Sequence, residues 1–187
     1  MGLIRIRKAD VDLALDSRLH DPVLDESWKG EPERLKVHYR KEWERYGVKA
    51  VYKSTSYGRL SKMTTTYYRK IRLGTGYAKA EPEWQAVTDA HETVHVRQWR
   101  RWGRNRFRTR YLFWTRWRWA IEVQAYAESV RALVALGASE SKIRDYITRR
   151  PKVLWDNYAL KSLRKNDVYS MTIFVLQKTW DDAKAAA

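Results

Sequence analysis

One short stretch has the residue types and spacing of a metal-assisted hydrolytic site. It reads His91-Glu92-Thr93-Val94-His95 and matches the pattern H-E-x-x-H. On a helix, two residues four apart lie about 40° apart around the axis and one turn apart along it. Two imidazoles so placed can both reach one Zn²⁺ at about 2.0–2.1 Å. The residue after the first His sits about 100° round, beside the metal and not on it. A carboxylate there, Glu92, can act as general base toward water that the metal makes acidic. With four His and eleven Glu in 187 positions, chance placement yields this pattern roughly 0.005 times per chain. The bland alternative is a pair of core histidines with an incidental Glu. The flanks Trp84, Val87 and Val94 suit a core, but two imidazoles on that face are an odd choice without a metal.

Zinc with a place kept for water takes a third protein ligand. The other histidines, His20 and His38, lie upstream in segments with no special pattern, and none follows His95. The H-E-x-x-H-x-x-G-x-x-H arrangement is therefore excluded. No Asp or Glu stands between Glu92 and Glu122. Glu122 and Glu128 share the next helical segment. Glu122 neighbours Trp119 and Tyr126 along a stripe that continues through Val130 and Leu133. Glu128 is about 240° further round, bordered by Gln124 and Arg131. Glu122 is preferred as the inward-facing acid, with a buried pairing to an arginine as its other role. Gln98 lies on the face of His91 and His95, one turn on. It can orient a ligand or make a simple buried amide hydrogen bond. Tyr111, Tyr126, Tyr158 and Tyr169 all stand as candidates for stabilising an oxyanion.

The segment EPEWQAVTDAHETVHVRQWRRWG must position the motif, and it is the clearest helix in the chain. It opens on Glu-Pro-Glu and ends at Gly103, and Trp84, Val87, His91, Val94, Gln98 and Trp102 recur every three or four residues. A second long helix is predicted over 112–136. An earlier one is predicted from Glu31-Pro32-Glu33 to Tyr46, with Leu35, Tyr39, Trp43 and Tyr46 on one face. Residues 1–30 read as an irregular arm with a short strand at Leu3–Ile6. Residues 48–53 read as a strand and 54–62 as a loop. TTTYYRKIRL reads as one strand ending at Gly74. The part from 139 to 184 reads as mostly helical, broken at Pro151.

Composition sets the surroundings. The formal charge is +16, there are 10 Trp and 12 Tyr, and there is no Cys. Disulfides, cysteine zinc sites and cysteine nucleophiles are thereby excluded. The positive charge favours a polyanionic neighbour, against a merely solvated basic surface. It is concentrated from Arg97 to Trp119, which holds nine Arg, five Trp and no acid. Arg97, Arg100, Arg101, Arg104, Arg106, Arg108, Arg110, Arg116 and Arg118 form a candidate patch for nucleic acid, lipid headgroups or cell-wall polymer. The structural alternative is Trp filling a core between two helices, covered by Arg through cation–π stacking. No apolar run suits a signal peptide or a membrane span, so cytoplasmic synthesis is expected.

A helix with H-E-x-x-H followed by a helix with a ligand Glu resembles the gluzincin branch of zinc metallopeptidases. More narrowly, HETVHVRQW followed by EVQAYA is similar to small bacterial and phage-encoded predicted metallopeptidases with H-E-x-x-H-x-x-Q and then E-x-x-A-Y. The resemblance covers about residues 64–136. It implies Zn²⁺ held by His91, His95 and Glu122, with Glu92 as general base and Gln98 and Tyr126 near the ligands. Thermolysin-like members carry Asp four residues after the ligand Glu. Tyr126 stands there, which separates this chain from that subgroup. The family also implies an edge strand before the motif helix that binds an extended peptide, the place of TTTYYRKIRL.

The expected fold is α+β and mostly helical: a zincin-like core with a small antiparallel sheet on the motif helix, and a helical C-terminal part. Residues 1–62 form the arm and first helix, 63–137 the metal-binding core, and 138–187 the C-terminal part of the same domain. The expected function is a zinc metallopeptidase or amidase acting on a peptide or cell-wall peptide. The competing expectation is a non-enzymatic basic structural or nucleic-acid-associated protein, such as a phage virion component with a structural or vestigial zinc site. A third is a cell-wall or membrane-active factor targeted by the Arg/Trp patch.

Overall fold

The segment from Thr115 to Ala135 forms a long helix that is buried on nearly every side, and the chain wraps the other helices around it. In the computed structural model, residues 3–22, 24–52, 64–67 and 69–186 are described. The helices are α1 (Lys8–Ala14), α2 (Pro32–Arg45), α3 (Pro82–Trp102), α4 (Arg104–Phe113), α5 (Thr115–Ala135), α6 (Glu140–Asn157) and α7 (Lys165–Ala186). The strands are β1 (Lys49–Tyr52), β2 (Thr65–Tyr67) and β3 (Lys70–Leu73). The protein is thus a mostly helical α+β structure. α5 packs against α3, α7, α1 and α6, so its burial extends round the whole cylinder. The main core joins Trp119, Val123, Val130 and Leu133 of α5 to Leu35 and Tyr39 of α2, Ile143 and Leu154 of α6, and Val175 and Leu176 of α7. Among the described residues no helix is long and apolar enough to cross a membrane.

The ends of the motif helix follow local rules. Pro82 occupies its first turn, where a missing N–H costs nothing, and Glu83 sits at the positive end of the dipole. Arg100 and Arg101 lie in the last turn, the negative end. Gly103 then takes φ +75°, a conformation costly for residues with a Cβ. On the α2 side, the buried indole of Trp43 donates to Thr93 Oγ1 at 2.7 Å, and Thr93 donates to the Asp89 carbonyl at 2.6 Å. The third position of H-E-x-x-H therefore anchors the motif helix to α2.

The structure departs from expectation in several places. TTTYYRKIRL is two strands and not one: β2 and β3 pair antiparallel, with Thr66 opposite Ile71. The sheet is mixed and not antiparallel, because β1 adds to β3 in parallel, Ala50 opposite Ile71, in the order β1-β3-β2. β3 is central because only its Ile71 and Leu73 reach the core beside Trp43, Tyr77 and Val96. The predicted loop at 54–62 lies outside the described residues. The N-terminal arm contains α1, fixed by Asp10, which accepts from the Arg7 backbone N–H at 2.9 Å. The strand expected at Leu3–Ile6 is a single bridge from Ile4 to Leu163. The second long helix starts at Thr115, and α4 precedes it. α6 runs through Pro151 without a break. A proline there removes one helical hydrogen bond, but Pro151 is buried between Ile147 and Leu154, and their packing carries the helix past it. The chain leaves α6 at Tyr158, followed by Ala159 at φ +51°.

Candidate metal centre

α3 and α5 lie side by side and bring three donor atoms together. His91 Nε2 and His95 Nε2 are 3.2 Å apart. Glu122 Oε2 lies 3.6 Å from the first and 3.5 Å from the second. All three residues are buried. Tetrahedral coordination at about 2.0–2.2 Å per bond places ligand atoms about 3.3–3.6 Å apart, so the triangle is of a size that one such ion would span. Glu122 Oε2 is buried with no hydrogen-bond partner among the described residues. A buried carboxylate oxygen without a hydrogen bond is costly, and a metal ion in the triangle would offset that cost. The residues present therefore fit a metal, and the cluster His91, His95 and Glu122 could hold one ion.

The electrostatics without an ion are those of a tight ion pair. Burial opposes ionisation of Glu122, but the neighbouring imidazoles of His95 and His91 outweigh it and hold the carboxyl far below its usual range. Burial likewise disfavours a charged His95, and the Glu122 carboxylate overcomes it, raising His95 to about 9. A metal ion would take the place of that proton.

The surrounding hydrogen bonds aim the ligands. His95 Nδ1 lies 2.8 Å from Gln98 Oε1. The Gln98 amide nitrogen donates to Ile121 O at 3.0 Å and to Gln124 Oε1 at 2.9 Å. Those acceptors orient the amide so that Oε1 faces the imidazole. Nδ1 of His95 must then donate, which makes Nε2 the nitrogen that would give its lone pair to an ion in the triangle. Tyr111 donates to the other oxygen of Glu122 at 2.8 Å, so Oε2 is the oxygen left for the ion. The ring of Tyr126 packs on His91 at 4.5 Å between centroids.

Glu92 is buried and faces β2, where the Thr66 hydroxyl donates to its Oε2 at 2.6 Å. Glu92 and His91 line a cleft of about 340 Å³, together with Thr64, Tyr126, Arg150 and Tyr158. Tyr158 Oη lies 3.3 Å from Tyr126 Oη. Burial, and then the Glu122 charge, push the Tyr158 phenol well above its ordinary value, so it stays a hydrogen-bond donor at neutral pH. Of the four tyrosines considered from sequence, Tyr126 and Tyr158 line the cleft and Tyr111 braces Glu122. Tyr169 lies on α7 against Lys165, away from it.

Exposure does not separate Glu122 from Glu128, as the stripe argument supposed, because α5 is surrounded. Glu128 is fully buried, and its oxygens accept from Asp21 N, Tyr39 Oη and Arg131. It has a complete set of partners, whereas Glu122 keeps an open oxygen. Sequence reasoning missed Thr66, Arg150 and Asp89. Asp89 accepts from Tyr77 and Arg40 at 2.7 and 3.0 Å and braces α3 from the side opposite α5. Burial raises its carboxyl to about 6 against the pull of those two donors. Nothing local marks their roles, since Thr66 and Asp89 act through partners on other elements and Arg150 reaches the site beside Tyr126 of α5.

The Arg/Trp segment divides in two. Its rings form a cluster in which Trp99, Trp102, Trp117 and Tyr111 surround Phe107. Arg97 is committed inward, bonded to Glu42 at 2.6 Å and Asp21 at 3.2 Å, with Glu128 at 3.6 Å. Arg118 donates to the Tyr111, Leu112 and Tyr158 carbonyls and ties α5 to the end of α4 and to the end of α6. Arg101 and Arg116 approach Asp16 and Asp10 at 3.5 and 3.9 Å. Arg100 stacks on Tyr46, and Arg110 on Trp114. Arg104, Arg106 and Arg108 are exposed on α4. Comparison of the chain with protein-family models, curated proteins and solved structures gives no match.

Proposed function

We propose that this chain is a zinc-dependent peptidase or amidase of the gluzincin kind, with His91, His95 and Glu122 holding the ion. The observation that carries this reading is the triangle of donor atoms, 3.2 to 3.6 Å on a side, with Glu122 Oε2 otherwise unpaired. A zinc ion there supplies a Lewis acid for a carbonyl oxygen and makes water acidic enough to attack near neutral pH. Glu92 takes the proton of the attacking water and delivers it to the leaving nitrogen. Thr66 holds the Glu92 carboxylate in one rotamer for that transfer. Tyr158 donates to the oxyanion that develops on the attacked carbonyl.

The sheet supplies the substrate track. Among the described residues β2 lies at an edge of the sheet, and its Thr66 donates to Glu92. A peptide added along β2 by main-chain hydrogen bonds lies across Glu92.

Metal analysis and a peptide library read by mass spectrometry test the reading together. The expected result is one zinc per chain, lost in His91→Ala and Glu122→Gln. Glu92→Gln keeps the zinc and cuts hydrolysis by about 10²–10⁴. A purified protein without zinc, unchanged by His91→Ala, overturns it.

A second reading has its own support. A groove of about 870 Å³ between α2 and α3 is walled by Arg18, Lys41, Arg45, Arg100 and Arg101. A basic structural or nucleic-acid-associated protein, such as a phage particle component, would use such a groove on phosphates, with the metal site purely structural. Steeply salt-dependent DNA binding by a zinc-loaded, hydrolytically inert protein would favour it. Absent or salt-independent DNA binding would remove it.

A further inference from the structure

The cleft beside His91 holds a cation without a countercharge. Arg150 stands on α6, one turn after Tyr146, and its guanidinium carbon lies 4.0 Å from the Tyr146 ring centroid and 5.3 Å from that of Tyr126. Its Nε reaches the Tyr146 carbonyl at 3.4 Å. Among the described residues no Asp or Glu forms an ion pair with it. Three other partly buried arginines meet acids: Arg40 meets Asp89, Arg97 meets Asp21 and Glu42, and Arg131 meets Glu128. Arg118, which lacks an acid, spends its N–H groups on main-chain carbonyls. Arg110 also lacks an acid and stacks on Trp114, but Arg150 is the one on the wall of the cleft that also contains Glu92 and His91. Removing a charge from water costs free energy unless an opposite charge meets it. The two tyrosine faces offset part of that cost and hold the planar fork on the wall of the cleft.

We propose that Arg150 recognises a free carboxylate on the substrate, close to the scissile amide. The inference rests on the peptidase reading and names the substrate class: an acidic peptide, or a peptide near its carboxyl terminus. The guanidinium fork matches a carboxylate through two parallel hydrogen bonds, which an amide cannot reproduce. Tyr126 bounds the spacing, since its ring centroid lies 4.5 Å from that of His91 and 5.3 Å from the Arg150 guanidinium carbon. At about 3.5 Å per extended residue, the carboxylate belongs within about three residues of the attacked carbonyl. A terminal α-carboxylate and an Asp or Glu side chain offer the same chemistry.

Calorimetric titration of the zinc-loaded full chain with three dipeptide hydroxamates separates the cases. One probe ends in a free carboxylate, one in a carboxamide, and one in a carboxamide with a Glu side chain. The hydroxamate grips the metal in all three. The expected result is that one acidic probe binds about 10- to 100-fold tighter than the neutral one. Arg150→Gln removes that advantage and leaves the neutral probe's affinity unchanged, while Arg150→Lys restores part of it. Equal binding of all three probes to the unmodified chain overturns the inference and leaves the metal reading standing, and this comparison requires no variant to fold. An advantage that survives in Arg150→Gln also overturns it. Failure of every probe to bind zinc-loaded protein removes the open-site reading and the inference together.

Discussion

His95 Nδ1 and Gln98 Oε1 are 2.8 Å apart, less than one turn along the same helix, and the pairing fixes which imidazole nitrogen is free for a metal. Gln98 is itself held by Ile121 O and Gln124, and Gln124 donates in turn to the carbonyls of Asp16 and Leu13. Gln98→Leu is expected to weaken zinc binding by about 10- to 100-fold. Competition with a chromophoric chelator measures it, and unchanged affinity would show that His95 needs no orienting partner.

Arg97 serves stability and not ligand binding. Its side chain is 13% exposed and faces Asp21, Glu42 and Glu128. Arg97→Met strands buried carboxylates and is expected to cost about 3 kcal/mol, read by urea denaturation. A loss below about 0.5 kcal/mol would contradict this role.

Arg106 and Arg108 are expected to behave in the opposite way. Both are exposed on α4. Replacing both with Ala should change stability by less than about 0.5 kcal/mol. Elution from heparin should move to lower salt, since each lost phosphate-type contact reduces the salt slope by about 0.9. Unchanged elution would place the polyanion contact elsewhere.

His38 couples stability to pH. Its hydrogen bond to Asp21, at 2.6 Å, raises its pKa above 6.5 against the opposing effect of partial burial, with Asp21 and Glu42 adding attraction and Arg97 repulsion. A raised folded pKa means that the contribution is fully present below 6.5 and is lost as pH rises through the folded value. His38→Gln should flatten the stability profile from pH 6.5 upward. Parallel profiles for the two proteins would rule out the coupling.

Metal removal should lower stability at every pH where the ligands bind. At a free zinc concentration 100 times Kd, the folded state gains about 2.7 kcal/mol. Thermal unfolding with and without a chelator reads the difference, and Glu122→Gln should abolish it.

The helices that carry the motif were legible because their signals are local. Pro82 and Gly103 bound α3, and apolar residues at three- and four-residue steps mark its face. The spacing of His91 and His95 follows from helix geometry alone, so their convergence needs no tertiary information. The other choices were not local. Hydrophobic periodicity separated Glu122 from Glu128 on the assumption of a half-buried helix. α5 is buried all round, and the two acids differ in which partners other elements bring to them. The pairing of Thr66 with Glu92 depends on a strand that the sequence pattern ran together with its neighbour. The pairing of Arg40 with Asp89 and of Arg97 with Asp21 and Glu42 depends on elements far apart in the chain. Sequence by itself determined the two-histidine motif, its helix and the basic character of the segment after it, because those are set within a few residues. Tertiary structure alone decided the open oxygen of Glu122, the orientation of His95 and the unmatched charge in the cleft. The oxygen and the charge are balances of desolvation against partners from other elements, and the Gln98 that orients His95 is itself fixed by Ile121 and Gln124 of α5.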